Sequence, residues 1–170
     1  MDSLLDTVST TKPIAPDANG DFLLDFENTI SQAPESDNHT RFDVIHTFST
    51  VRYTYNLLIG DIEYLDGSPP QLTTPWGNKR LSIYPHAGED ANAHYSREEA
   101  ALKFYYTKKG GGPPVYLCRS LDIVAHETGH SFLDILQPNW YLTQGQTGAF
   151  HEAFGDLCSL FVLISMVSKC

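Results

Sequence analysis

Basic side chains are scarce in this sequence. Eleven lysines and arginines stand against 21 aspartates and glutamates, a formal net charge of −10 over 170 residues. Nucleic acid and anionic membranes both select basic surfaces, so neither is expected as a partner. Cysteine is rarer still: Cys118, Cys158 and Cys170 form an odd set without metal-ligand spacing. That excludes a disulfide scaffold and leaves the first two as expected buried thiols. The opening Met1-Asp2-Ser3-Leu4-Leu5-Asp6 has neither a basic region nor an apolar core and is not a signal peptide, so a cytoplasmic or a processed or non-classically secreted chain is expected. Gly110-Gly111-Gly112-Pro113-Pro114 is followed by no Lys-Ser or Lys-Thr, which excludes a phosphate loop. The apolar run from Leu157 to Val167 is shorter than the roughly 20 residues that cross a bilayer, so no membrane span is expected.

The sequence does hold enough apolar material, 41% of its residues, for one soluble domain with a sizeable core. Residues 1–20, rich in Thr, Ser, Asp and Pro, read as a flexible arm, and 21–170 as the folded body. Asp17, Asn19 and Asp21 read as a turn, because the glutamate that would close a calcium loop is missing. Phe22 to Phe26 reads as a short strand or helical turn. From Phe42, Val44, Phe48, Val51, Tyr55 and Leu58 recur at helical spacing and predict a core helix ending before Gly60. Turn clusters follow at 66–70 and 74–78, then short strands at 81–84, 93–95 and 102–107. The expected class is α+β: a short N-terminal sheet with long helices. His86 and His94 are expected to be solvated or hydrogen-bonded rather than functional.

The chemistry concentrates between Ser120 and Asp156. Leu121, Val124, Ala125, Phe132, Leu133 and Leu136 predict a helix capped by Ser120 and stopped at Pro138-Asn139. His126-Glu127-Thr128-Gly129-His130 lies inside it. Two histidines four apart share a helix face, so their imidazoles converge on one point where a zinc ion fits. Gly129 is costly in a helix interior by about 1 kcal/mol, which implies that something packs or binds close to the backbone there.

Zinc catalysis takes three protein ligands and leaves one position for water. A further histidine ten residues after His126 is excluded, since position 136 is Leu. Downstream, Thr147 reads as the cap of a second helix on which Glu152 and Asp156 share a face. That helix is apolar almost all round and is expected to be buried, so its two carboxylates need a metal or a donor. Zinc would serve Glu152, and the imidazole N–H of a zinc-bound histidine would serve Asp156. His151 competes for the ligand role but lies about 100° round the helix, and Glu152 is the preferred ligand.

The order HETGH, the 26 residues from His126 to Glu152, and Glu-Ala-x-x-Asp resemble the gluzincins, and within them the thermolysin-like metallopeptidases. Phe48 to Asn56 resembles the long helix of that family's N-terminal subdomain, Asn92 to Tyr95 its edge strand, and Leu121 to Ala125 the lead-in to its zinc helix. The resemblance implies zinc on His126, His130 and Glu152, Glu127 as general base, and Asp156 orienting His126. It implies substrate backbone binding by strand addition at Asn92 and Ala93, and it puts Tyr141 in the place of the oxyanion-stabilising tyrosine. It departs from the family in three ways. The helical C-terminal subdomain with its catalytic histidine has no counterpart before Cys170. His151 stands where Asn is common. Asp122 matches a calcium ligand whose acidic partner is missing from 160–167, which argues against a calcium requirement.

The function expected is a zinc-dependent endopeptidase, hydrolysing peptide bonds with a zinc-polarised water and Glu127 as base. The alternative is a zinc-binding but inactive fragment or pseudopeptidase acting as a binding module. A peptide or protein is the expected substrate. The 157–167 face is expected to favour self-association or the missing C-terminal subdomain.

Overall fold

The computed structural model describes residues 5–7, 37–68, 72–108, 110–140 and 145–168. They form three helices and two small sheets, a mixed architecture compatible with the α+β class. Helix α1, Asp37–Asp66, buries Val44, Val51, Tyr55 and Leu58 along one stripe, as the helical spacing predicts. It does not stop before Gly60. That glycine faces open space, so only its propensity is lost, and the helix runs on to Asp66. Gly67, at φ 73°, then closes the last turn by donating its N–H to the Glu63 carbonyl at 2.8 Å.

The larger sheet has the order β1-β2-β4-β3, with β1 Leu5–Thr7, β2 Leu81–Tyr84, β3 Ala93–Ser96 and β4 Ala101–Phe104. β1 and β4 run parallel to β2, and β3 runs antiparallel to β4. Within the stretch expected as an arm, Leu5–Thr7 therefore supplies a strand. The Asp17–Asp21 turn and the Phe22–Phe26 segment lie outside the described residues. The strand expected at 102–107 divides at Tyr105, and Tyr106–Thr107 (β5) pairs instead with Val115–Tyr116 (β6). Leu81, Ile83, Leu102 and Phe104 are fully buried, and with Val51, Tyr55, Val124 and Phe132 they form the core.

Helix α2, Leu121–Leu136, is the middle layer, with the sheet and α1 on one side and α3, Gln146–Val167, on the other. Ser120 occupies the N-cap position, but its hydroxyl donates to the Asp122 carboxylate and not to the helix backbone. The cap of α3 is Gly145, not Thr147. Burial of α3 also differs from expectation. Only His151, Gly155, Cys158 and Val162 are buried, a stripe of one residue per turn against α2, and the opposite side is exposed. An apolar composition predicts burial all round, but among the described residues α3 packs chiefly on α2, with a smaller contact to α1 where the Tyr53 hydroxyl donates to Ser165. At 22 residues α3 is also long and apolar enough to cross a membrane by length and composition, which counting from Leu157 alone does not reveal.

Candidate metal centre

His126 and His130 emerge from the face of α2 that meets α3, with rings 4.7 Å apart and nearly perpendicular. Two glycines let the helices approach that closely. A Cβ on Gly129 would stand 2.9 Å from Cys158 Sγ and 3.1 Å from Gly155 Cα. A Cβ on Gly155 would stand 2.8 Å from the His126 ring. The costly glycine of the sequence is thus explained by packing. The approach delivers Glu152 to both imidazoles: Oε2 lies 3.3 Å from His126 Nε2 and Oε1 3.7 Å from His130 Nε2.

The ligating atoms of His126, His130 and Glu152 all lie within 4.8 Å of one another. Metal–ligand bonds of about 2.0–2.1 Å at a tetrahedral angle separate neighbouring ligand atoms by about 3.3 Å, so the His126 separation matches a tetrahedral edge and the His130 separation, to the other carboxylate oxygen, is somewhat longer. Asp156 Oδ1 lies 3.0 Å from His126 Nδ1. A proton on that nitrogen, donated to the carboxylate, leaves the Nε2 lone pair facing Glu152. Glu152 and Asp156 are themselves 70% and 80% exposed at the side chain, not buried as expected, so the group opens toward solvent past α3.

Burial, and then the neighbouring His126, lowers the His130 pKa to about 4. The ring is therefore neutral at physiological pH, the form in which imidazole binds a metal. Glu127 lies beside the pair with its side chain largely buried, and burial raises its pKa to about 7. Its carboxylate accepts the main-chain N–H of Tyr95 from β3, which offsets part of that effect.

A cleft of about 400 Å³ runs between these groups and β3, lined on the strand side by Asn92, Ala93, His94 and Tyr95 and on the α3 side by Gly148 and His151. β3 is an edge strand. Tyr105 N–H donates to the Asn92 carbonyl at 3.2 Å, so by the alternation of an antiparallel pair Asn92 and His94 turn their main-chain groups to β4. Ala93 and Tyr95 turn theirs to the open edge. His94, expected to be solvated or hydrogen-bonded and away from the site, stacks on Tyr105 and lines the cleft. His151 is buried with its ring 5.6 Å from His130, yet it stands outside the three-ligand group. Tyr141 lies outside the described residues. Comparison of the chain with family models, with curated proteins and with solved structures finds no match.

Asp43, His86 and Cys118 also bring ligand-type atoms together. There the fully buried Asp43 carboxylate already accepts both nitrogens of the Arg119 fork, at 2.7 and 2.9 Å, and lies 2.8 Å from His86 Nε2. A guanidinium in that position takes the place of a metal, and the cluster is an ion pair joining α1 to the turn before α2. Cys118 and Cys158 are buried free thiols, and burial pushes both pKa values up to about 12.

The spacing of the sequence does not reveal Tyr95, Arg97 and Asp134. Asp134 is fully buried, accepts the Tyr95 hydroxyl at 2.7 Å, and is gripped by the Arg97 guanidinium. Its one signal in the sequence is a carboxylate between apolar residues of α2, four positions after His130.

Proposed function

We propose that this chain is a zinc-dependent endopeptidase of the thermolysin-like kind, with zinc held by His126, His130 and Glu152. The reading is carried by one observation: two imidazoles and a carboxylate converge at coordination spacing, beside a second, buried carboxylate that is not part of the set. Two histidines and a glutamate with an open fourth side suit a catalytic rather than a structural zinc site. Zinc there would supply Lewis acidity, polarising the scissile carbonyl and making water nucleophilic near neutral pH.

The chain's own residues supply the rest. Glu127, poised near pH 7, takes the proton from the attacking water and passes it to the leaving amine. Asp156 holds His126 in the tautomer that presents Nε2. The open edge at Ala93 pairs with the main chain of an extended peptide and lays it across the cleft. The exposed apolar side of α3 is proposed to associate with a second copy of the chain.

The test is zinc stoichiometry and hydrolysis of a quenched peptide by the purified protein. Glu127→Ala is expected to retain zinc and lose at least about a hundredfold in kcat, the scale of general-base catalysis. Glu152→Ala is expected to lose zinc affinity. Full proteolysis by Glu127→Ala would overturn the mechanism. Stoichiometric zinc in a wild type that hydrolyses no peptide would select the alternative, a binding module.

A further inference from the structure

Strand β3 is held against α2 at two heights. At Glu127 the bond is from the Tyr95 main chain. At Asp134, seven residues or about 10 Å further along the helix, the Tyr95 hydroxyl and the Arg97 fork converge on one carboxylate. Arg97 also donates to the Pro138 carbonyl at 2.5 Å, beyond the end of α2. Asp134 is fully buried, whereas the Arg97 side chain is 26% exposed, so the pair reaches from the interior to the outer end of the open edge.

Resting on the peptidase reading, we infer that Arg97 and Asp134 are positioning residues, setting where an extended peptide lies along β3 relative to His126 and His130. A strand added to an edge inherits the register and tilt of that edge. The ladder with β4 fixes the inner side of β3, and the bond at Glu127 holds its open side at a single height. The second anchor fixes the tilt of that open side where the strand ends, because the bidentate contact fixes a planar guanidinium in orientation as well as in distance. Lysine, a point charge, keeps the attraction and loses the orientation.

The experiment compares wild type with Arg97→Lys and Asp134→Asn. Fluorescence anisotropy on metal-free protein measures binding of a labelled, end-blocked octapeptide and, by competition, of a blocked dipeptide too short to run along β3. Zinc affinity is measured separately by chelator competition. The expected result is octapeptide binding weakened on the order of tenfold, with dipeptide and zinc affinities within about twofold. Where the protein hydrolyses peptide, KM for the octapeptide rises and kcat for the dipeptide holds. A purely structural role predicts a lower Tm with an unchanged octapeptide-to-dipeptide ratio, and that result overturns the inference. Should Asp134→Asn fail to fold, the partly exposed Arg97→Lys carries the test. Failure of the peptidase reading shows separately, as zinc bound by wild type without hydrolysis. A wild type that binds no octapeptide overturns both.

Discussion

Glu127 shows how far one side chain's surroundings set its chemistry. Its pKa is raised from 4.5 to about 7 mainly by burial. A carboxyl whose pKa is raised on folding contributes stability that is complete below its unfolded pKa and lost as pH rises through the folded one. In metal-free protein the charged form is therefore a liability above pH 7, worth at most about 3 kcal/mol at 1.36 kcal/mol per unit. Glu127→Gln is neutral, nearly isosteric and keeps an acceptor for Tyr95. Urea unfolding should find it more stable than wild type at pH 8 and equal to it at pH 4. His130 acts in the opposite sense: its pKa is lowered, so its contribution is present above about 6.5 and lost as pH falls through about 4. Both proteins carry it, so the comparison isolates Glu127.

Between elements, the decisive contact is α2 on α3, where Gly129 and Gly155 stand in for side chains that would not fit. Gly155→Ala brings a methyl to 2.8 Å from the His126 ring, and the cheapest relief is to move that ring away from Asp156. Zinc affinity, measured by chelator competition, should fall about 10–100-fold, the range for a disturbed partner of a metal-bound histidine. Gly129→Ala meets backbone as well as Cys158, so the helices must part, and a loss of about 1–3 kcal/mol in unfolding free energy is expected. On the far side of α2, Asp43→Ala strips the buried partner of Arg119 and His86, and equilibrium unfolding should show a loss of about 3 kcal/mol. The glycine cost at 129 is legible from sequence, as is the helix that carries it. The partners of Asp43 and Asp134 are not, because each pair joins residues 37 to 76 positions apart and neither shows a local spacing.

As a whole molecule, the chain leaves one side of α3 open. Eight large apolar side chains are exposed there, from 37% at Met166 to 76% at Val167. Two are phenylalanines and six are Leu, Ile, Met or Val, and side by side along the helix they make an apolar patch of the kind that marks an interaction site. No acidic or basic side chain interrupts the helix from Leu157 to Val167, so two copies can meet there without burying charge. Concentration-dependent association is expected in sedimentation velocity, and Leu160→Glu with Ile164→Glu should abolish it and leave zinc binding intact. Vesicle binding by wild type would instead favour the membrane-length reading of α3, against the net charge of −10.

Local repetition let the sequence alone determine the buried stripes of α1 and α2, the convergence of His126 with His130, and a short strand at Ala93, since each follows from periods of 3.6 or 2 residues. The reach of Glu152 and Asp156 to the same imidazoles was legible only as a spacing. Their exposure, the two-point attachment of β3 to α2, and the one-sided burial of α3 were decided by tertiary structure. Each depends on which element lies beside which, and an apolar helix carries no mark of how many neighbours it will have.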